Sequence, residues 1–408
     1  MSRELNVYLC GKKIGVLYDD ELGHLSFQYE ADAKRQLSVR MPVRPEIYDV
    51  SYAVPFFNNL TPEGEALNFI AQFFRISKNN AFSILDKIGG DCAGAVSLYE
   101  GSLEKNTDSQ LLEIDDESLA RNIDELPDNP LLIGIENSPR LSLAGAQSKF
   151  AVCKIKDKYY RSNDKHPTTH IIKIKHKYLP NLLENELFCM KLAQKILGTI
   201  NIELCAAKGR KYLEIERYDR QIIDGEINRI HQEDFCQVLG YPAHQKYQQD
   251  GGPGIIDCYN AIINYSSQPP ADANKFIYQI VFNYLIGNAD AHAKNFSILH
   301  KNENILLSPA YDLLSAEIYP RSKVSRIIAM KINGKEEHDA IGKNDFIALF
   351  ELLGLNATNT MRLIKDKFTN VVKTAEDLKD ELNSDNLTRC DVYDSITDLI
   401  KQRTGIFL

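Results

Sequence analysis

Three side chains in the last third of the chain, Asp290, Asn295 and Asp312, have the types and spacing needed for phosphoryl transfer. They stand in Gly287-Asn288-Ala289-Asp290-Ala291-His292-Ala293-Lys294-Asn295-Phe296 and Tyr311-Asp312-Leu313. Asn295 follows Asp290 by five positions, the separation of a kinase catalytic loop, and Asp312 follows seventeen positions later. A transferred phosphoryl group asks little covalent chemistry of a protein; it needs an aligned hydroxyl and neutralised charge. One aspartate can meet the incoming hydroxyl. An asparagine oxygen and a second aspartate suit Mg²⁺, a hard cation that takes oxygen donors and few protein carboxylates. Taken alone, the loop also reads as a polar turn whose Asn and Asp cap backbone groups. Adding Asp312 favours the metal and nucleotide chemistry.

The flanking pattern predicts how these residues are held. Phe276, Ile277, Ile280, Val281, Tyr284 and Leu285 fall at helical spacing, and Gly287 can end that helix in a left-handed cap, so Asp290 opens a loop. Phe296 to Leu299 and Ile305 to Leu307 read as short strands joined by a polar turn at Asn302 to Asn304. Such a hairpin carries Asp312 back beside Asn295. His292 lacks a partner at metal-ligand spacing and reads as a hydrogen-bonded loop residue. Lys294, inside the same loop, is a candidate for nucleotide contact.

Upstream, Ser142-Leu143-Ala144-Gly145-Ala146-Gln147-Ser148-Lys149 is a small-residue loop before the apolar run Phe150-Ala151-Val152. Small side chains let backbone N–H groups approach phosphate oxygens, which makes Ala144, Gly145, Ala146, Gln147 and Lys149 candidate ATP contacts. The loop is neither a Walker loop nor a Gly-x-Gly-x-x-Gly run, and in isolation it also reads as a plain turn. Lys173 ends the apolar strand His170-Ile171-Ile172 and is placed to grip phosphate, although its neighbours Lys175, His176 and Lys177 also fit a solvated charge run. A helix is predicted from about Leu182 to Leu197, with Gly198 beyond it, and its Glu186 is a candidate partner for Lys173. Tyr212 to Asp219 alternates as a strand leading into Arg220. This is a candidate hinge, with Glu216 and Tyr218 offering backbone groups to adenine. The order is phosphate loop, strand lysine, helix glutamate, hinge, base, metal Asn, metal Asp, which is that of a bilobal kinase.

Taken together these residues resemble the HipA family of bacterial toxin serine/threonine kinases, the toxins of type II toxin-antitoxin systems. The resemblance rests on Ser142 to Lys149, His170 to Lys173, Glu216-Arg217-Tyr218-Asp219-Arg220, His231-Gln232-Glu233-Asp234, Asp250-Gly251-Gly252-Pro253-Gly254, Asp290 to Phe296, and Tyr311 to Ser315. It extends to Phe56-Phe57-Asn58-Asn59-Leu60-Thr61-Pro62-Glu63-Gly64 and Gly89-Gly90-Asp91-Cys92-Ala93-Gly94-Ala95, and so covers nearly the whole chain. It implies Asp290 as catalytic base, Asn295 and Asp312 as Mg²⁺ ligands, Lys173 as the phosphate-binding lysine, and ATP as the phosphoryl donor. It also implies autophosphorylation at Ser142, which disorders the loop and switches the enzyme off; Ser148 offers a second hydroxyl nearby. Members phosphorylate an aminoacyl-tRNA synthetase, commonly the glutamyl enzyme, and are bound by a helix-turn-helix antitoxin of the HipB type. DNA contact would come only through that antitoxin.

The expected fold is α+β and kinase-like, with a small β-rich N-terminal module and a mainly helical C-terminal lobe. Residues 1–135 are expected to form the N-terminal module with an acidic connector, 136–218 the lobe with the phosphate loop and strand lysine, and 219–408 the helical lobe with the catalytic and metal-binding loops. In the first part, Asn6 to Leu9 and Ile14 to Leu17 flank a hairpin turn, Thr61-Pro62 reads as a helix start, and residues 101 to 130 read as a turn-rich connection. The 408 residues allow two or three domains with a substantial core. A net charge of -8 argues against an autonomous nucleic-acid binder. The eight cysteines form no C-x-x-C pair and suit buried thiols in a reducing cytosol better than a disulfide framework or a zinc site. The absence of a signal pattern or long apolar run leads us to expect a cytoplasmic protein with no membrane association. The catalytic residues alone also allow a small-molecule or lipid kinase of related fold, and the fold alone allows a non-catalytic co-repressor.

Overall fold

The computed structural model describes residues 3–20, 22–101, 111–134, 140–142, 147–163 and 166–407. The chain divides into two compact units. The first comprises Met1–Ile174, Ala206–Ala243 and Leu299–Asn304, and the second Lys175–Cys205, His244–Ile298 and Ile305–Leu408.

The first unit opens with the antiparallel strands Arg3–Leu9, Lys12–Asp19 and Leu25–Tyr29, to which Val96–Tyr99 adds against the first. Alternation decides which face is covered: Leu25, Phe27 and Tyr29 are buried while Ser26 and Gln28 are half-buried. Phe56 and Phe57, from the helix Val50–Asn58, pack into the same core. The next helix is Gly64–Phe74, two residues later than Thr61-Pro62 suggests, because the Thr61 hydroxyl donates to the Asn58 carbonyl and closes the preceding helix.

The acidic stretch is not merely a connection. It contains the short strand Glu113–Ile114 and the helix Asp116–Glu125. Asp115 caps that helix by accepting the Ser118 N–H, and Asp116 and Glu117 lie in its first turn, where negative charge complements the helix dipole. Leu119, Ala120 and Ile123 bury one face.

Five of the six strands in the main sheet lie in this unit, in the order Glu113–Ile114, Lys158–Tyr160, Lys149–Ile155, His170–Ile174, Arg210–Glu216; the sixth, Ile202–Ala207, spans the division. Lys149–Ile155 and Arg210–Glu216 both run antiparallel to His170–Ile174 between them.

The second unit is mainly helical: Leu182–Leu197, Ile255–Tyr265, Pro269–Ile286, Lys343–Leu352, Ala357–Phe368, Val371–Asn383 and Val392–Thr404. The helix Pro269–Ile286 stops as its sequence predicts. Gly287 adopts φ +69°, and its N–H reaches back to Asn283 and Tyr284. A Cβ at Gly287 would stand 2.6 Å from the Leu399 side chain, so glycine is required there by both backbone and packing. All eight cysteines are free thiols. Among the described residues, no helix is long and apolar enough to cross a membrane.

Candidate active site

The second unit holds Asp290, Lys294, Asn295 and Asp312. Directly after the Gly287 cap, Asn288 donates its amide N–H₂ to Asn283 Oδ1 at 2.8 Å and accepts the Asp290 N–H at 3.1 Å. Asp290 is exposed, and its Oδ1 accepts the Tyr247 hydroxyl at 2.6 Å. Asn295 donates its side-chain nitrogen to the Asp290 carbonyl at 3.0 Å, which commits the nitrogen and leaves the amide oxygen as the end able to face a cation.

The predicted hairpin forms as Ser297–Lys301 and Asn304–Leu307, with Asn302 and Glu303 at positive φ in its turn. Beyond it, the segment carrying Asp312 is pinned at both ends. The Tyr311 hydroxyl donates to the Lys294 carbonyl at 2.7 Å and pairs with the Ser297 hydroxyl at 2.7 Å. The Ala316 N–H donates to the Gly287 carbonyl at 2.9 Å. Asn185, on the helix Leu182–Leu197, makes a two-way bond with the backbone of Ser315, 2.8 Å in each direction. Asp312 itself sits at φ +56°, a conformation that aspartate tolerates better than most residues. Asn295 and Tyr311 line one small recess together with Asn283, Asn288 and Leu313. The two segments read as functional from sequence are thus brought to one place.

Tyr247 is a residue that the sequence reading missed. It belongs to the segment against which the Asp250-Gly251-Gly252-Pro253-Gly254 loop folds: the Gly252 N–H donates to the Tyr247 carbonyl at 3.0 Å. A Cβ at Gly252 would fall 1.8 Å from the Gln245 carbonyl oxygen. The loop's glycine therefore serves the close backbone approach that sets Tyr247 against Asp290. The Tyr247 ring also meets the His292 ring edge-on, with centroids 5.2 Å apart.

In the first unit, Lys149 and Lys173 are direct register partners on adjacent antiparallel strands, which places both side chains on one face of the sheet. Lys173 is 5% exposed. Gln147 donates to the Ile174 carbonyl at 3.3 Å, fixing the exit of the small-residue loop on the same strand pair. Ala144, Gly145 and Ala146 lie outside the described residues. Ser142 is fully buried, and its hydroxyl donates to the Leu60 carbonyl. Ser148 is half-buried. Glu216 closes the strand Arg210–Glu216 opposite His170, and Tyr218 follows in the link to Arg220.

That link is anchored by buried charge. Arg217 holds Asp219 with two bonds of 2.9 and 2.7 Å, and Arg220 reaches Asp91 at 2.7 Å and the Thr168 carbonyl at 2.9 Å. The Gly94 N–H donates to Asp219 at 2.6 Å. Burial by itself would raise the Asp219 carboxyl, but the Arg217 and Arg220 guanidiniums hold it down at about 2. Burial and Arg217 bring Arg220 down to about 10. Two sequence blocks with no evident connection, Gly89 to Ala95 and Glu216 to Arg220, thus meet in one ion-paired core that fixes the candidate hinge.

Residues 141–377 match the model of the HipA-like C-terminal domain, and residues 5–99 match that of the HipA N-terminal domain. The chain is 38% identical over 390 residues to the putative kinase Y4mE of Sinorhizobium fredii, covering 92% of this chain and 90% of that protein. It is 30% identical over 375 residues to the serine/threonine-protein kinase toxin HipA of Shewanella oneidensis, covering 85% of each. Among solved structures, the Shewanella oneidensis HipA, HipB and operator DNA complex contains a chain that superposes with a TM-score of 0.85 at 26% identity, covering 98% of this chain and 96% of that one.

Proposed function

Because the chain belongs to the HipA family of toxin kinases, we propose that it transfers the γ-phosphoryl group of Mg-ATP to a seryl hydroxyl of a protein. Asp290 accepts the proton of that hydroxyl, with Tyr247 donating to its Oδ1. Asn295 and Asp312 hold Mg²⁺ on the phosphates through oxygen atoms. Lys149 and Lys173 neutralise phosphate charge, Gln147 supports the covering loop with Ala144, Gly145 and Ala146, Lys294 adds a further phosphate contact, and the backbone at Glu216 and Tyr218 meets adenine. Mg²⁺ supplies charge neutralisation when bound. The residues present fit it, since Asn295 commits its nitrogen to the Asp290 carbonyl and so keeps its amide oxygen for a cation, and Asp312 adds a carboxylate.

The observation that carries this reading is the double pinning of the Asp312 segment, through Tyr311 to Lys294 and through Ala316 to Gly287, onto the loop that bears Asp290 and Asn295. A polar turn that merely capped backbone has no use for a second segment tied to it in this way. Calorimetric titration of ATP with and without Mg²⁺ tests it: Asn295→Ala and Asp312→Ala should weaken Mg²⁺-dependent binding, and Lys173→Ala should weaken binding in either condition. Unchanged affinity in Asp312→Ala would remove that residue from the metal site.

Family membership supports an aminoacyl-tRNA synthetase as the protein target, and a HipB-like helix-turn-helix antitoxin as the partner that binds the chain and mediates any DNA contact. Ser142 is the self-limiting phosphosite, with Ser148 as the second acceptor. Its burial against Leu60 means that the modification must accompany release of its segment, since a phosphate cannot occupy the place of that hydroxyl bond.

A further inference from the structure

We propose that His231, Glu233 and His300 form a binding site for a divalent transition metal of the zinc type, inside the first unit. One donor atom of each lies within 4.8 Å of those of the other two. His231 and Glu233 are two apart on the strand His231–Asp234 and so share a face, and His300 comes from Leu299–Asn304 of the same unit. Two imidazoles and one carboxylate are a donor set that zinc takes, with a fourth position left for water or another ligand.

The electrostatics of the cluster point the same way. Glu233 is 0% exposed; its Oε1 accepts the Val39 N–H at 3.0 Å and faces His300 Nε2 at 2.8 Å, but its Oε2 has no hydrogen-bond partner. His231 is 1% exposed and donates its Nε2–H to the Leu37 carbonyl at 2.8 Å, so its Nδ1 carries a lone pair, and that atom has no partner either. Two buried acceptors in one cluster are unusual because each forfeits its hydration without replacement. A cation satisfies lone pairs where a further acceptor cannot. The Leu37 carbonyl and the Val39 N–H orient the imidazole and the carboxylate as outer partners do in metal sites. Gly94 lies close against this strand, and a Cβ there would stand 3.1 Å from His231 Nδ1 and 2.6 Å from the Gln232 nitrogen, so a larger residue would crowd the imidazole. When the ion enters, the Nε2–H bond from His300 to Glu233 is exchanged for metal bonds from both residues, and His300 must present a lone pair.

The consequence is structural. The ion straps the Leu37 to Val39 segment onto the strand His231–Asp234, in a place that the phosphotransfer reading does not use.

The test uses full-length protein without a histidine tag, incubated with zinc, freed of excess metal by gel filtration and analysed by elemental mass spectrometry. Wild type should retain about one equivalent per chain, and the thermal midpoint should rise with zinc and fall back with EDTA. His300→Ala and Glu233→Gln should lose the metal, whereas Cys10→Ser, at an exposed thiol, should keep it. Wild type retaining less than about a tenth of an equivalent, with no shift of midpoint, would overturn the proposal. So would undiminished zinc in His300→Ala. Should the variants fail to fold, cobalt(II) absorption on wild type decides: bands free of thiolate charge transfer support the His–Glu site, and thiolate bands, or no bound cobalt, refute it.

Discussion

Replacing Tyr311 with phenylalanine probes the tie between the two candidate catalytic segments without touching a residue proposed to meet substrate or metal. The change removes one hydroxyl and with it two hydrogen bonds, to the Lys294 carbonyl and to the Ser297 hydroxyl, both at 2.7 Å. Each such bond contributes about 0.5 to 1.5 kcal/mol net, so the pair amounts to about 1 to 3 kcal/mol. Ser297 is fully buried and Lys294 nearly so, which places the cost toward the upper part of that range. Whatever part of this energy holds Asn295 and Asp312 in register is lost from the Mg-ATP complex. That predicts a fall in kcat/KM of about 10-fold, or ~1.4 kcal/mol, together with a higher Mg²⁺ requirement. Steady-state phosphotransfer at several Mg²⁺ concentrations, alongside thermal unfolding, measures both. A lowered thermal midpoint with wild-type kcat/KM and wild-type Mg²⁺ dependence would show that the tie stabilises the fold but does not position the site.

Tyr247→Phe should fold normally and lower turnover by about 10-fold, because Asp290 loses its hydroxyl partner; Gly252→Ala, whose Cβ would collide with the Gln245 carbonyl, should lose stability as well as rate, and wild-type turnover in both variants would dismiss Tyr247 as a positioning residue. Asp219→Asn should destabilise the first unit by about 3 to 5 kcal/mol at neutral pH, since it strips a counter-charge from buried Arg217 and Arg220. The Asp219 pKa is lowered by folding, so its contribution is complete above the ordinary carboxylate range near 4 and is lost as pH falls through about 2. Urea midpoints should therefore differ most at pH 7 and converge toward pH 2; a gap that grows on acidification would refute the ion-pair account. Ser142→Asp should expose the segment around Leu141 and weaken ATP binding, read by limited proteolysis and calorimetry, and unchanged behaviour in both would end the switch assignment.

The parts of the site that depend on near neighbours were legible in the sequence. The Gly287 stop, the Asp290 to Asn295 spacing and the hairpin returning to Asp312 each follow from local periodicity and turn chemistry. The helix Leu182–Leu197 and the alternating strand ending at Glu216 are legible for the same reason. What escaped was long-range. Nothing about Tyr247 announces that its hydroxyl will meet a carboxylate 43 positions on. His300 and Glu233 are 67 positions apart, and Asp91 and Arg220 are 129 apart, so their pairing exists only once the chain has folded. The acidic run at Glu113 to Glu117 reads in sequence as part of a turn-rich connection, because clustered acids are as common in turns as at helix starts. Two of those acids begin a helix, and Asp115 caps it. The Ser142 hydroxyl shows a further limit: small-residue context marks a loop, but its burial against Leu60 is set by a segment 82 residues away.

Whether Asp290, Asn295 and Asp312 make this chain a phosphotransferase is tested most directly by intact-mass spectrometry after incubation with Mg-ATP. Wild-type protein should gain the mass of phosphate, with peptide mapping placing it within residues 142 to 148. Asp290→Ala should bind Mg-ATP with little change and gain phosphate about 10² to 10⁴ times more slowly, the loss expected for a positioned base. An Asp290→Ala protein that phosphorylates itself at the wild-type rate would contradict the account.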